Sequence, residues 1–134
     1  MSRWIIHAEA SFTARHALTS YRGRPEAAHE HPWKIAVRVG TDALNDESYA
    51  LDFHEVLTIL AAAVGPLDRT DLNQHPQIGT PSPTAERVAE VLADTLEPAY
   101  DEIGGRLLSI SVWEGPVNRV DLMLDDQGGR GASS

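Results

Sequence analysis

The sequence predicts an α+β fold in the order ββααββ, an antiparallel sheet with two helices on one face. Three observations predict it. Residues 4–16 and 30–41 alternate apolar and polar side chains with period two, residues 52–64 and 84–97 repeat apolar side chains at helical spacing, and alternation returns over 106–113 and 119–124. The first strand runs from Trp4 to His16 and places Phe12, Ala14 and His16 on one face, because side chains two apart point the same way. Ala17 to Ala28 holds Gly23 and Pro25 among polar residues and reads as a loop. The second strand starts near Glu30 and runs to Thr41, with Trp33, Ile35, Val37 and Val39 on one face. Asp42 to Glu47 is a turn, and Ser48 to Leu51 reads as a short strand.

Asp52 is a good helix N-cap, and Glu55 three residues on completes a capping-box-like pair. Val56, Leu57, Ile59, Leu60, Ala63 and Val64 form the apolar stripe of this helix, and Gly65-Pro66 stops it. Leu67 to Pro83 is a long polar connection. The second helix starts at Ser82 or Thr84, buries Val88, Val91, Leu92 and Leu96, and is ended or kinked at Pro98. Two strands, Arg106 to Trp113 and Arg119 to Leu124, close the chain across a Gly115-Pro116 turn. One domain is expected over residues 1–124, followed by a disordered tail over 125–134. Four strands and two helices leave one sheet face poorly covered, which favours a homo-oligomer.

The chain has 134 residues, enough to bury a core without covalent staples. It has no cysteine, which excludes disulfides, thiolate metal sites and a thiol nucleophile. Its formal charge of −9 argues against nucleic acid as a partner. That charge is uneven: residues 1–40 carry six Lys/Arg against three acids, so the first third is basic. No apolar run approaches the ~18 residues of a membrane helix, and the start is too soon polar for a signal peptide. A cytoplasmic protein, without a membrane partner, is expected.

The histidines carry the chemistry. His29-Glu30-His31 opens the second strand, and the i, i+2 spacing puts both imidazoles on one face. His16 ends the first strand, so a hairpin brings all three together. Three histidines with an open fourth position is the arrangement of catalytic zinc, which lowers the pKa of a bound hydroxyl or polarises a carbonyl. His7 and His54 read as solvated. His75, in the long connection, is a candidate proton carrier.

Phe12-x-Ala14-x-His16, His29-x-His31, Leu51-Asp52-Phe53, Leu67-Asp68, Leu72-Asn73, Pro83-Thr84-x-Glu86 and Val112-Trp113-Glu114 follow one another in this order. The series resembles the 6-pyruvoyl-tetrahydropterin synthase / 6-carboxy-tetrahydropterin synthase family over about residues 4–124. The resemblance implies the tunnelling fold (T-fold), in which ββααββ subunits form trimeric barrels that often stack into hexamers. It implies Zn2+ on His16, His29 and His31, a pterin substrate gripped by Glu114, and Thr84 at the substrate. A carboxylate suits that grip, because its two oxygens accept a parallel pair of N–H bonds from a 2-amino-pyrimidinone edge.

The departures from the family bear on the reaction. Its synthases use a cysteine four residues before the first histidine of the pair, where this chain has Pro25. Their Leu-Asp-His pattern reads Leu67-Asp68-Arg69 here, keeping Asp68 and losing its proton-carrying neighbour. Some relatives carry a glutamate in place of the cysteine and cleave the side chain by a retro-aldol step to 6-hydroxymethyl-dihydropterin. Glu26, displaced by one residue from that position, is the leading substitute base, with Asp68 and His75 as further catalytic candidates. Arg69 can fork onto phosphate, and Arg15, Arg22, Arg24 and Lys34 lie in the same basic third as the histidines. Three readings follow: a pterin synthase or lyase acting on dihydroneopterin or its triphosphate, a zinc-containing pterin-binding protein with little catalysis, and a metal-free structural member of the fold.

Overall fold

The computed structural model describes residues 2–124; the tail expected to be disordered lies outside them. Strands β1 (Trp4–His16) and β2 (His29–Thr41) form a long hairpin, followed by helix α1 (Phe53–Val64), a two-residue strand β3 (Thr70–Asp71), helix α2 (Ala85–Glu102), and strands β4 (Arg106–Glu114) and β5 (Asn118–Met123). The sheet order is β3-β1-β2-β4-β5. All pairings are antiparallel except β1 with β3, which run parallel at Ala14–Thr70 and Arg15–Asp71. The expected α+β class holds, with a fifth strand that makes the sheet mixed.

Both helices pack on one sheet face, where the predicted alternation places the apolar side chains. Phe12 and Ala14 of β1, Trp33, Ile35, Val37 and Val39 of β2, and Ile110 and Val112 of β4 are buried there. They meet Val56, Leu60 and Val64 of α1 and Val88, Leu92 and Leu96 of α2. Each fully buried aliphatic contributes about 1.5–3 kcal/mol of transfer free energy. A β-bulge between Arg38 and Val39 of the β2–β4 pairing resets the register, so Leu107 and Ile110 both reach this core. Phe12 and Trp33 stack with centroids 5.7 Å apart, and the Trp33 indole N–H donates to the Ala14 carbonyl at 3.2 Å. That bond lets a large aromatic sit under the histidine-bearing end of the hairpin without an unpaired donor.

Several boundaries differ from the expectation. Residues 48–51 are bends and irregular chain rather than a strand, with Leu51 turned into the core. Residues 67–83 are less polar in practice than in composition, since Leu67, Leu72 and Ile78 are buried and β3 lies within the segment. Pro98 neither ends nor interrupts α2, which runs on to Glu102. Its missing N–H leaves the Asp94 carbonyl without its helical donor, on an exposed residue. Among the described residues no helix is long and apolar enough to cross a membrane.

The other sheet face is open and polar. Trp113 lies between Lys34, with Nζ 4.1 Å from its ring centroid, and Arg119, at 5.3 Å. Arg119 forks onto Asp121 at 2.9 and 2.8 Å, and Asp121 also accepts from Ser111 at 2.6 Å. The uncovered face expected from the element count is therefore a charged, hydrogen-bonded surface.

Candidate metal centre

Strand register builds the site. His16 stands directly opposite His29 across the β1–β2 hairpin, and His31 is two residues further along β2 on the same face. Glu114, at the end of β4, is registered with Trp33, two residues beyond His31. Three adjacent strands thus turn four side chains to one spot. One ligand atom from each of His16, His29, His31 and Glu114 lies within 4.8 Å of all the others. The ring centroids are 5.0 Å apart for His16–His29, 5.2 Å for His16–His31 and 4.2 Å for His29–His31.

Hydrogen bonds on the far side of two rings set their tautomers. His16 Nδ1 donates to the Pro83 carbonyl at 2.8 Å, and His29 Nδ1 donates to the Ala27 carbonyl at 3.1 Å. With Nδ1 protonated, the Nε2 lone pair of each ring is free for the site, the arrangement that orients metal-binding histidines. Glu114 Oε2 is 3.2 Å from Nε2 of both His16 and His31. His31 Nε2 is buried and has no partner in hydrogen-bonding geometry among the described residues. A buried, unpaired ring nitrogen aimed at two others and a carboxylate fits a divalent cation with nitrogen-rich coordination, as zinc has.

The electrostatics agree. Burial works against a charged His16, but the Glu114 hydrogen bond, the Pro83 carbonyl and the charges of Glu114 and Glu26 outweigh it and raise its pKa. Burial, followed by the charge of His29, lowers that of His31. Glu114 is held below its usual value mainly by the His16 hydrogen bond, against the opposing effect of burial. Hence the carboxylate stays ionised where three imidazoles converge.

The loop between β1 and β2 folds back over this end. Glu26 N–H donates to the Leu18 carbonyl and Glu26 Oε1 accepts from Leu18 N–H, both at 3.0 Å. Glu26 is thereby fixed close enough for its charge to act on His16 and His31. The tip closes with Tyr21 and Arg24 paired across Arg22 and Gly23, whose φ values of 54° and 81° suit a tight hairpin turn. Asn73 clamps the root of the loop, its Oδ1 accepting from Ala17 N–H and its Nδ2 donating to the Ala17 carbonyl, each at 2.8 Å. The sequence hinted at Asn73 only through its Leu72-Asn73 stretch. The Pro83 carbonyl, a backbone atom, left no residue-type signal at all.

The remaining candidates are not members of the four-residue cluster. Asp68 Oδ1 accepts from Thr13 N–H at 2.9 Å on the outer edge of β1, and Arg69 is 89 % exposed beside it. His75 Nδ1 accepts from the N–H groups of Gln77 and Ile78, both at 3.1 Å, and so shapes its own turn. Thr84 is the N-cap of α2, its hydroxyl accepting from Arg87 N–H at 3.1 Å. Thr84 also lines a cavity of about 480 Å³ with Leu18, Glu86, Glu114 and Val120. Glu114 therefore belongs to both the metal cluster and the cavity wall.

A family model described as 6-pyruvoyl tetrahydropterin synthase matches residues 5–124. The chain belongs to this family. The match spans nearly all of the described fold, and the histidines, Glu114 and the cavity fall inside it. A sequence search of curated proteins finds no match. Solved structures show the same fold at low identity. An uncharacterized protein of Wolinella succinogenes superposes with a TM-score of 0.75 at 16% identity, covering 91% of this chain and 98% of that one. The 6-pyruvoyl tetrahydropterin synthase of Caenorhabditis elegans gives 0.72 at 16% identity, over 93% and 99%. A Plasmodium vivax 6-pyruvoyltetrahydropterin synthase, in which a glutamate described as a catalytic residue is replaced by cysteine, gives 0.66 at 12% identity, over 90% and 98%.

Proposed function

We propose that this member of the family is a zinc enzyme acting on the side chain of a dihydroneopterin, with or without its triphosphate. One observation carries the reading: Glu114 stands between the histidine cluster and the cavity. A ligand ring held in the cavity by the Glu114 carboxylate has its substituent beside the three imidazoles. The volume falls in the range of small-molecule sites, and a bicyclic pterin presents the paired N–H donors that a carboxylate accepts in parallel. His16, His29 and His31 would hold a zinc ion, which when bound would supply Lewis acidity toward the side-chain hydroxyl or carbonyl.

Proton transfer falls to Glu26. Its Oε1 is fixed by Leu18 N–H, which leaves Oε2 to take a proton from a substrate side chain near His16. The Plasmodium vivax enzyme, whose described catalytic residue is a glutamate, supports a glutamate in this role. A glutamate base with no cysteine present favours the retro-aldol variant, giving 6-hydroxymethyl-dihydropterin, over the 6-carboxy and 6-pyruvoyl products. Asp68, Arg69 and His75 lie at the β1 edge and in the following turn, and we assign them to the site of an adjoining copy: Asp68 and His75 to proton transfer, Arg69 to substrate phosphate.

Mass spectrometry of products from zinc-loaded protein with dihydroneopterin triphosphate and with dihydroneopterin tests this. A hydroxymethyl product is expected, abolished by Glu26→Gln with zinc and pterin binding intact. Pterin binding without turnover of either compound overturns the enzyme reading and leaves a zinc-containing pterin-binding protein.

A further inference from the structure

We propose that Glu114 is the fourth metal ligand of the resting protein and that a pterin ring opens the metal by drawing this carboxylate away. Three observations carry the first half. In a tetrahedral zinc site with bonds of about 2.0–2.1 Å, neighbouring donor atoms stand about 3.3 Å apart. Glu114 Oε2 is 3.2 Å from the Nε2 atoms of His16 and His31, the edge length of such a tetrahedron on two sides. Second, the His16 tautomer is fixed by Pro83, so neutral His16 turns a lone pair, not a proton, toward Oε2. Two acceptors facing each other repel unless a cation or an added proton lies between them. Third, His31 Nε2 faces the same oxygen without hydrogen-bond geometry and is otherwise unpaired, as a nitrogen awaiting a metal is.

The second half rests on the pterin reading given above and follows from where Glu114 stands. Its carboxylate borders the cavity shared with Leu18, Thr84 and Glu86. Accepting two parallel N–H bonds from a ring seated there uses a lone pair of each oxygen and turns both toward the cavity, so Oε2 swings away from the direction in which it faces the imidazole nitrogens. Ring binding and coordination by Glu114 then compete, and each weakens the other by the same factor. The device keeps the metal closed until substrate arrives, when the vacated position is next to the substrate's own side chain.

Cobalt(II) in place of zinc gives a visible spectrum that reports the donor set without any turnover. In the absence of pterin, thiocyanate should leave the wild-type spectrum unchanged and shift that of Glu114→Ala and Glu114→Gln. Zinc affinity of both variants should fall at least ~100-fold, the upper end of the loss caused by removing an outer-shell partner. A wild-type site that takes thiocyanate as readily as the variants, with unchanged zinc affinity in them, overturns the coordination claim. The Gln variant keeps the side-chain shape, and circular dichroism of the metal-free proteins is the check that both fold.

The displacement is read with 6-methylpterin, which has no side-chain oxygen to bind the metal. It should admit thiocyanate to the wild-type cobalt site and should itself bind more tightly to metal-free than to zinc-loaded protein. Methylpterin that binds, by fluorescence, while the cobalt site stays closed overturns the displacement claim. Failure of any pterin to bind appears in fluorescence alone and overturns the pterin reading, while the thiocyanate comparison still decides the coordination.

Discussion

His16 is committed on both sides of its ring: Nδ1 to the Pro83 carbonyl, Nε2 to the space shared with Glu114. This fixes how the metal-free protein responds to pH. The His16 pKa is raised from 6.5, so its contribution to stability is full below 6.5 and is lost as pH rises through the folded value. The Glu114 pKa is lowered from 4.5, so its contribution is full above 4.5 and is lost as pH falls through its folded value. The destabilisation caused by Glu114→Gln in chelator-treated protein should therefore be largest between about pH 4.5 and 6.5 and should shrink on either side. His31, lowered from 6.5 mainly by burial, loses its contribution as pH falls, but it does so in both proteins and largely cancels. Urea unfolding across pH 3–9, about the span of these groups, checks this; a pH-independent difference refutes the pairing. At this scale the sequence was legible where spacing is local. The i, i+2 histidines and the strand-ending His16 needed only the hairpin to meet. The approach of Glu114 Oε2 to those histidines was not legible, because it depends on β4 lying beside β2 in one register, a pairing 81 residues apart for Trp33 and Glu114.

Elements show the same division between local and distant information. Asp52 caps its helix as the sequence predicts, accepting from His54 N–H, and of the two caps the sequence left open for α2 it is Thr84, not Ser82, that accepts from Arg87 N–H. The two-residue β3 was illegible, since a strand that short has no period and exists only because it pairs with β1. Likewise nothing in composition distinguishes an exposed proline that a helix runs through, as α2 does at Pro98, from one that stops the helix. The cap at Thr84 bears on the site as well as on α2, because Pro83, one residue before it, holds His16. Thr84→Ala should lower stability by about 1 kcal/mol, and Thr84→Ser should restore most of it. Denaturant titration of the three proteins measures the cap. An Ala variant as stable as wild type would mean that the Arg87 N–H finds another acceptor.

The sheet of the whole molecule ends in two strands with free outer sides. Among the described residues β3 covers only Ala14 and Arg15 of β1, leaving its Trp4–Thr13 stretch with one strand neighbour, and β5 pairs only with β4. Unpaired edges of this length invite pairing with another chain. The two edges are different surfaces, so β1 of one copy meeting β5 of the next is a head-to-tail contact, which closes into a ring if the rotation permits. Exposed Trp4, Tyr49 and Phe53 near the free end of β1 add apolar area that such a contact can cover. A ring would also bring Asp68 and Arg69, fastened to Thr13 on that edge, toward the neighbouring copy. We therefore expect a homo-oligomer in multiples of three, as the tunnelling fold implies, held by the β1 edge. Glu9 is exposed in the middle of that stretch, and proline is tolerated in a strand only where the edge is free. Light scattering on Glu9→Pro should give a folded monomer where the wild type gives a trimer or hexamer. If the mass of the variant is unchanged while its circular dichroism is native, the copies meet through some other surface.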